Sequence, residues 1–271
     1  ALPHAAMNFS HLLSLYRTLV GSQGPSDRLT SQEAARVLPA LRHLAAGFGG
    51  RRTMAGHDYW KDPELLGAYL LFYWPISHAQ AQAALKNARI LPSGAALELG
   101  AGMGPGTMAL HQAGWQKILA TDPGKEALQI SARLHTNLPF PPRYQVWSAE
   151  QPVPTGPWAL ILAQHVLNEL WKNAEDRIER RKHLVVSMAQ NLQAGGRILL
   201  IEPARHLINA EMLALRDALL EAGLSVYGPC FTQKKCPALQ EKAACHGELY
   251  WNPPTELVKL AEAAWLDRST L

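Results

Sequence analysis

The stretch AALELGAGMGPGTMAL, residues 95–110, decides the fold. Its apolar start, up to Leu99, is short enough for one buried strand. The small residues that follow, ending in Pro105-Gly106-Thr107, lead into a helical pattern at Met108, Ala109 and Leu110. Glycines at 100, 102, 104 and 106 let a ligand touch main chain, because a Cβ there would hold the ligand away and forbid positive φ. Such a turn suits a nucleotide-like ligand; a turn that binds nothing is the alternative. The dinucleotide fingerprint G-x-G-x-x-G fails in both registers, since Pro105 or Thr107 stands where the third glycine belongs, so NAD and FAD are disfavoured. Lys117 to Thr121 reads as the next strand. It delivers Asp122 about twenty residues past the loop, where a carboxylate accepts ribose hydroxyls or, alternatively, caps the helix after Pro123.

The run acidic-x-G-x-G-x-G, here Glu98, Gly100, Gly102 and Gly104, resembles the loop of the Rossmann-like methyltransferases. That resemblance implies S-adenosylmethionine, which has no pyrophosphate and whose ammonium group suits an acidic strand end. Tyr144 to Trp147 reads as a third strand, and the resemblance places the adenine edge against Ser148-Ala149-Glu150 after it.

From Ile90 onward strand and helix patterns alternate, which requires a parallel sheet with helices on both faces. Trp158 to Ala163 is the fourth strand, Arg197 to Ile201 the fifth and Leu224 to Tyr227 a sixth. In such a sheet ligands sit beyond the strand C-termini, so Gln164 and His165 face cofactor or substrate and are the candidate catalytic pair. His165 suits a general base or a loop hydrogen bond, and methyl transfer needs chiefly alignment. The basic run Arg177, Arg180, Arg181 and Lys182 reads as a solvated helix face, with RNA contact as the alternative.

The 271 residues, 48% of them apolar, are enough for a full core. Ala1 to Ala6, ahead of Met7, carry no weight here. No apolar run approaches the roughly eighteen residues a membrane span needs and no leader pattern precedes them, so we expect a cytoplasmic protein or a processed organellar one. A net charge of +4 is compatible with RNA without requiring it. Residues 8–88 read as helical: Phe9 to Val20, a capping box at Thr30-Ser31-Gln32-Glu33 opening a helix towards Ala46, and a start at Asp62-Pro63 whose helix Pro75 ends. The aromatics Tyr59, Trp60, Tyr69, Phe72, Tyr73 and Trp74 read as core, or as a stacking surface for bases. Arg42, Arg51 and Arg52 flank a glycine loop and either face solvent or meet phosphates. Asn252-Pro253-Pro254-Thr255 sits far from the fourth strand and reads as a helix start, not as an amino-methyltransferase loop. Neither strand end where a cytosine-C5 methyltransferase carries its nucleophile contains cysteine.

All three cysteines, Cys230, Cys236 and Cys245, fall within one short segment. An odd set excludes a closed disulfide framework, and clustering in a cytosolic protein points to a metal, with three buried thiols as the plain alternative.

Taken together, the glycine loop, HVLNEL after the fourth strand, IEP at the fifth and PC-x5-CP-x8-CH resemble the methyltransferase-like proteins associated with the mitochondrial small ribosomal subunit and their bacterial relatives, over residues 59–266. The resemblance implies an α/β Rossmann-like doubly wound sheet of the class I methyltransferase type, with an N-terminal helical region (1–88), a cofactor core (89–228), a cysteine-rich insertion (229–250) and a C-terminal helix (251–271). It implies a cofactor set of Glu98, Gly100, Ala101, Gly102, Gly104, Asp122, Pro123, Ala149, Glu150 and Gln164. It also implies a 4Fe-4S cluster on Cys230, Cys236 and Cys245, with zinc as the alternative, and a fourth ligand and final antiparallel strand beyond the given chain. The expected function is S-adenosylmethionine-dependent methyl transfer to small-subunit ribosomal RNA by a cytoplasmic (bacterial) or mitochondrial monomer. A non-catalytic small-subunit assembly factor is the alternative, and a small-molecule methyltransferase comes third.

Overall fold

The computed structural model describes residues 9–48, 61–267 and 270–271; Arg51, Arg52, Tyr59 and Trp60 lie outside them. Five parallel strands, β1 (Ala95–Leu99), β2 (Lys117–Asp122), β3 (Arg143–Val146), β4 (Trp158–Gln164) and β5 (Leu192–Ile201), form one sheet in the order β3-β2-β1-β4-β5. The order reverses between β1 and β4, which opens a crevice above their C-terminal ends. β1 and β4 are buried on both faces, as parallel central strands are. Helices α4 (Trp74–Asn87) and α5 (Pro105–Gln112) cover one face through Ala81, Leu85, Ala109 and Leu110. Helices α7 (Arg177–Gln190) and α8 (His206–Glu221) cover the other through Leu184, Val185, Met188 and Leu215.

A second core joins α1 (Phe9–Val20) and α2 (Ser31–Phe48) to α6 (Lys125–Leu134) and α10 (Thr255–Ala264). The capping box is formed: the Thr30 amide donates to Glu33 Oε2 at 2.8 Å and the Glu33 amide to Thr30 Oγ1 at 3.2 Å. Glu33 also accepts from the buried Arg17 guanidinium at 2.7 and 2.9 Å, which holds its carboxyl down at about 2. Phe72 and Trp74 are buried, and Phe48 meets Tyr73 edge-on at 5.1 Å, so these aromatics are packing rather than a free stacking face. Arg42 donates to the Ala263 carbonyl at the end of α10. Asn252-Pro253-Pro254 does open α10, with Pro254 as its N-cap. No helix among the described residues is long and apolar enough to cross a membrane.

Two sequence expectations are corrected. Pro75 does not end the helix that Asp62 caps. That helix, α3 (Pro63–Ala68), runs through a π-helical turn, Tyr69–Tyr73, into α4. The Trp74 amide reaches back five residues to Tyr69 O, and this wider turn lets the helix continue past Pro75, which has no N–H to donate. Nor do residues 224–227 form a sixth strand. A strand needs a neighbour, and among the described residues nothing pairs with the outer side of β5. β5 itself starts earlier than Arg197, at Leu192, with a register shift opposite Trp158 and Leu160 that Gly195, at φ 74°, accommodates.

Candidate cofactor site

β1 ends on Leu99, paired with Ala163 of β4, so Gly100 and Gln164 are the next residues on either side of the crevice. Gly100, Gly102 and Gly104 have φ of 69°, 52° and 82°, the left-handed region closed to most side chains. A Cβ on Gly100 would come within 2.3 Å of Val166, and one on Gly104 within 2.2 Å of Ser131 Oγ. The loop is therefore pinned against its neighbours, with Gly100 and Gly102 the part-exposed residues of 100–104. The Trp74 indole holds it from α4, donating to Met103 O at 3.0 Å.

Asp122 ends β2 beneath this loop. Its Oδ2 accepts the Gly102 amide at 2.9 Å and its Oδ1 the Gly124 amide at 2.7 Å. A carboxylate has about four acceptor positions, so two remain for a ligand's hydroxyls. Asp122 thus organises the approach to α6 and keeps the capacity for ribose. Burial raises its pKa. Pro123 follows it, and Ala101 is buried at the turn, its amide donating to Thr121 O at 2.8 Å.

Glu98 has a different task from the ligand contact the sequence suggested. It is 2% exposed and its carboxyl turns under α5, where the Thr107 hydroxyl donates to Oε2 and a Cβ on Gly106 would lie 2.2 Å from Oε1. Burial pushes its pKa to about 8, so at neutral pH it is largely protonated and braces the loop-to-helix junction.

Gln164 donates from Nε2 to Ser77 O at 2.8 Å, while its buried Oε1 has no hydrogen-bond partner among the described residues. An orphaned acceptor is costly unless a donor arrives, and a ligand ammonium is such a donor. His165 follows at φ 58°, its amide bonded to Ile201 O at 2.7 Å. Burial pulls its imidazole to about 4, which makes it neutral and a poor general base near pH 7. Across the crevice Ala149 packs against the α7/α8 core, and Glu150 accepts from the Trp171 indole at 3.2 Å.

Several contributors were not visible as site residues in the sequence. His135, buried in α6's C-cap, binds Tyr144 OH at 2.8 Å behind the loop, and burial lowers its pKa to about 3. Glu202, flagged only as part of IEP, accepts from the Val166, Leu167 and Asn168 amides and from Asn168 Nδ2. Such long-range pairings have no local sequence signal.

The basic run on α7 is not a free cationic face. Arg177 and Arg181 both pair with Glu211 at 2.6 Å, Arg180 with Asp176 at 2.9 Å and Lys182 with Glu179 at 2.5 Å. The cysteines expected to hold a metal do not form one group among the described residues. Cys230 and Cys245 are exposed, Cys236 is buried, and among the described residues no three His, Cys, Asp or Glu side chains form a group able to hold a metal. The segment 229–250 hangs on α8: Asp217 accepts the Cys236 amide at 2.9 Å, while Asn209 exchanges two bonds with the Cys245 main chain. Those anchors are eight residues apart, about 12 Å along the helix, so neighbours in sequence are spread along its length. The three thiols as placed do not fit a shared iron–sulfur or zinc site. Two grooves of about 990 and 430 Å³ lie elsewhere, on the outer side of α4 and α5.

A family model described as "Mitochondrial small ribosomal subunit Rsm22" matches residues 68–250 of this chain, more than half of it. The chain is 32% identical over 127 residues to the electron transfer flavoprotein beta subunit lysine methyltransferase of Xenopus laevis, covering 44% of this chain and 48% of that protein. It thus spans about half the length of that curated relative. Solved structures similar to it include a methyltransferase from Pyrococcus furiosus (TM-score 0.45, 19% identity, 56% of this chain and 73% of that one). Another is an S-adenosylmethionine-dependent methyltransferase from Clostridium acetobutylicum (TM-score 0.40, 16% identity, 63% and 60%).

Proposed function

The chain belongs to the mitochondrial small ribosomal subunit Rsm22 family, and on that premise we propose that it binds S-adenosylmethionine in the β1/β4 crevice and methylates small-subunit ribosomal RNA. One observation carries the cofactor reading: Gln164, whose buried Oε1 has no partner among the described residues, follows Ala163, the β4 partner of Leu99, and so lies across from the glycine loop that Asp122 braces. In this reading Gln164 takes the ammonium end, Asp122 the ribose hydroxyls, and Ala149 and Glu150 flank the adenine; Gly100, Ala101, Gly102, Gly104 and Pro123 supply the surface. The cofactor contributes an electrophilic methyl on a sulfonium. The protein contributes alignment: burial keeps His165 neutral, at about 4, and the carboxyl of Glu202, at about 7, is engaged by four donors. The 1–88, 89–228, 229–250 and 251–271 division belongs to this reading as well, with residues 229–250 as a segment carried by α8.

A second reading keeps cofactor binding without turnover, as a small-subunit assembly factor, and the neutral His165 favours it. A third substrate class, protein, is raised by the name of the Xenopus relative. Transfer of radiolabelled methyl from S-adenosylmethionine to small ribosomal subunits lacking this modification separates them. Label in RNA that is lost with Asp122→Ala supports the proposal. Co-sedimentation without label leaves the assembly factor, and label only in protein redirects the substrate.

A further inference from the structure

Between β4 and α7 the chain makes one tight helical turn. The Glu169 and Leu170 amides both return to Val166 O, at 3.0 and 3.2 Å. Residues in left-handed conformation bracket it, His165 at φ 58° and Trp171 at φ 51°. Neither is glycine, so the surroundings must enforce the geometry. They do so from both ends. Glu202 collects the amide end: Oε1 accepts from Val166 at 3.2 Å and Leu167 at 2.8 Å, Oε2 from the Asn168 amide at 3.4 Å and its side chain at 2.6 Å. Arg181, 1% exposed, collects the carbonyl end, donating to Leu170 O at 3.1 and 3.2 Å and to Asn168 O at 3.5 Å. The turn is a miniature helix with a half-buried carboxyl group at its positive end and a buried cation at its negative end.

We propose that Glu202 is a positioning residue of the cofactor site, and that its carboxyl group fixes the turn that follows Gln164 and His165 at the crevice. This rests on the cofactor reading above. Donors outnumber the carboxyl oxygens here. Four N–H groups converge on two oxygens, which an ionised carboxylate can accept; a protonated one brings a fifth donor and loses an acceptor position. Burial outweighs those donors and moves its pKa up to about 7, with Glu169 on the same turn adding to the rise, so the closed turn takes up a proton more readily than an open one. Other charged groups around the turn include Arg181 from α7, its partner Glu211 from α8, which Arg177 shares and whose pKa is lowered, and Glu150 on the Trp171 indole. His165 stays neutral there.

The test compares wild type, Glu202→Gln and Glu202→Asp as full chains. Hydrogen-exchange protection of the Val166, Leu167 and Asn168 amides and affinity for S-adenosylhomocysteine are read near pH 8 and pH 6. The expected result is protection and affinity each about tenfold lower in Glu202→Gln near pH 8, the equivalent of losing one charge-assisted hydrogen bond. Because the raised pKa makes the closed turn hold its proton more tightly than an open one, protection in the wild type rises towards pH 6, while Glu202→Gln shows no such slope. A purely structural residue would lower the melting temperature and leave the pH slope in place. Should Glu202→Gln not fold, the pH slope of wild type and Glu202→Asp decides alone. Unchanged protection in Glu202→Gln, a flat wild-type profile, or lost protection with unchanged affinity each overturns the proposal. A wild type that binds no S-adenosylhomocysteine but keeps the protection pattern overturns the cofactor reading instead.

Discussion

Glu98 is a carboxyl group held out of water, and its proton is part of the folded structure. Its native pKa of about 8 lies above its ordinary 4.5, so the native state keeps a proton that the unfolded chain releases across that interval. The stability associated with this proton is complete below about pH 4.5 and is lost as pH rises through 8. Glu98→Gln keeps the shape and cannot ionise. It should unfold at higher temperature than wild type at pH 9, by an amount on the order of 2–4 kcal/mol, with the gap closing as the pH is lowered towards 5. Thermal melts across pH 5–9 check this, and a gap that stays constant with pH would mean Glu98 is not the titrating group. The sequence showed an acidic residue at this strand end but not its direction. Whether such a side chain faces the crevice or α5 depends on Thr107 and Gly106 across the turn, which only the folded loop brings to it.

Elements were legible where their cause is local. The β1–loop–α5–β2 unit follows from apolar run lengths and glycine spacing, and the capping box from four consecutive residues. Elements whose cause is distant were misread. Pro75 looked like a stop because one π turn is invisible in composition, and residues 224–227 looked like a strand because their apolar run says nothing about a missing neighbour. The cysteine segment is likewise placed by contacts distant in sequence, on α8. That helix provides the main-chain anchors: besides Asp217 and Asn209, Arg216 donates to the Lys234 carbonyl at 2.9 Å and to that of Thr232. Asp217→Ala should release residues 230–245, costing about 1–3 kcal/mol for the unpaired Cys236 amide. Limited proteolysis should then cut within that segment while S-adenosylhomocysteine binding is kept. Unaltered resistance to cleavage would show that other contacts hold it.

At the scale of the whole molecule, the N-terminal helices and α10 share one core with the cofactor half. Leu12, Leu41 and Leu70 pack with Met103 and Met108 from the glycine loop and α5, with Ile130 from α6 and with Leu260 from α10. The Leu29 amide also donates to Glu256 of α10 at 2.9 Å, tying the chain's two ends. Leu260→Ala, 3% exposed in the native state, should cost about 2–5 kcal/mol. Unfolding should remain a single transition, because no part of that core belongs to one region alone. Two separated transitions by calorimetry would make the helical region an independent unit.

The central claim is that the β1/β4 crevice is a methyl-donor site, and equilibrium binding of S-adenosylmethionine to the purified chain tests it without requiring a substrate. Saturable one-to-one binding, weakened about 10- to 100-fold by Asp122→Ala and by Gln164→Ala through the loss of charge-assisted hydrogen bonds, is the expected result. Absence of saturable binding by the folded wild type, or binding that both substitutions leave intact, would contradict it.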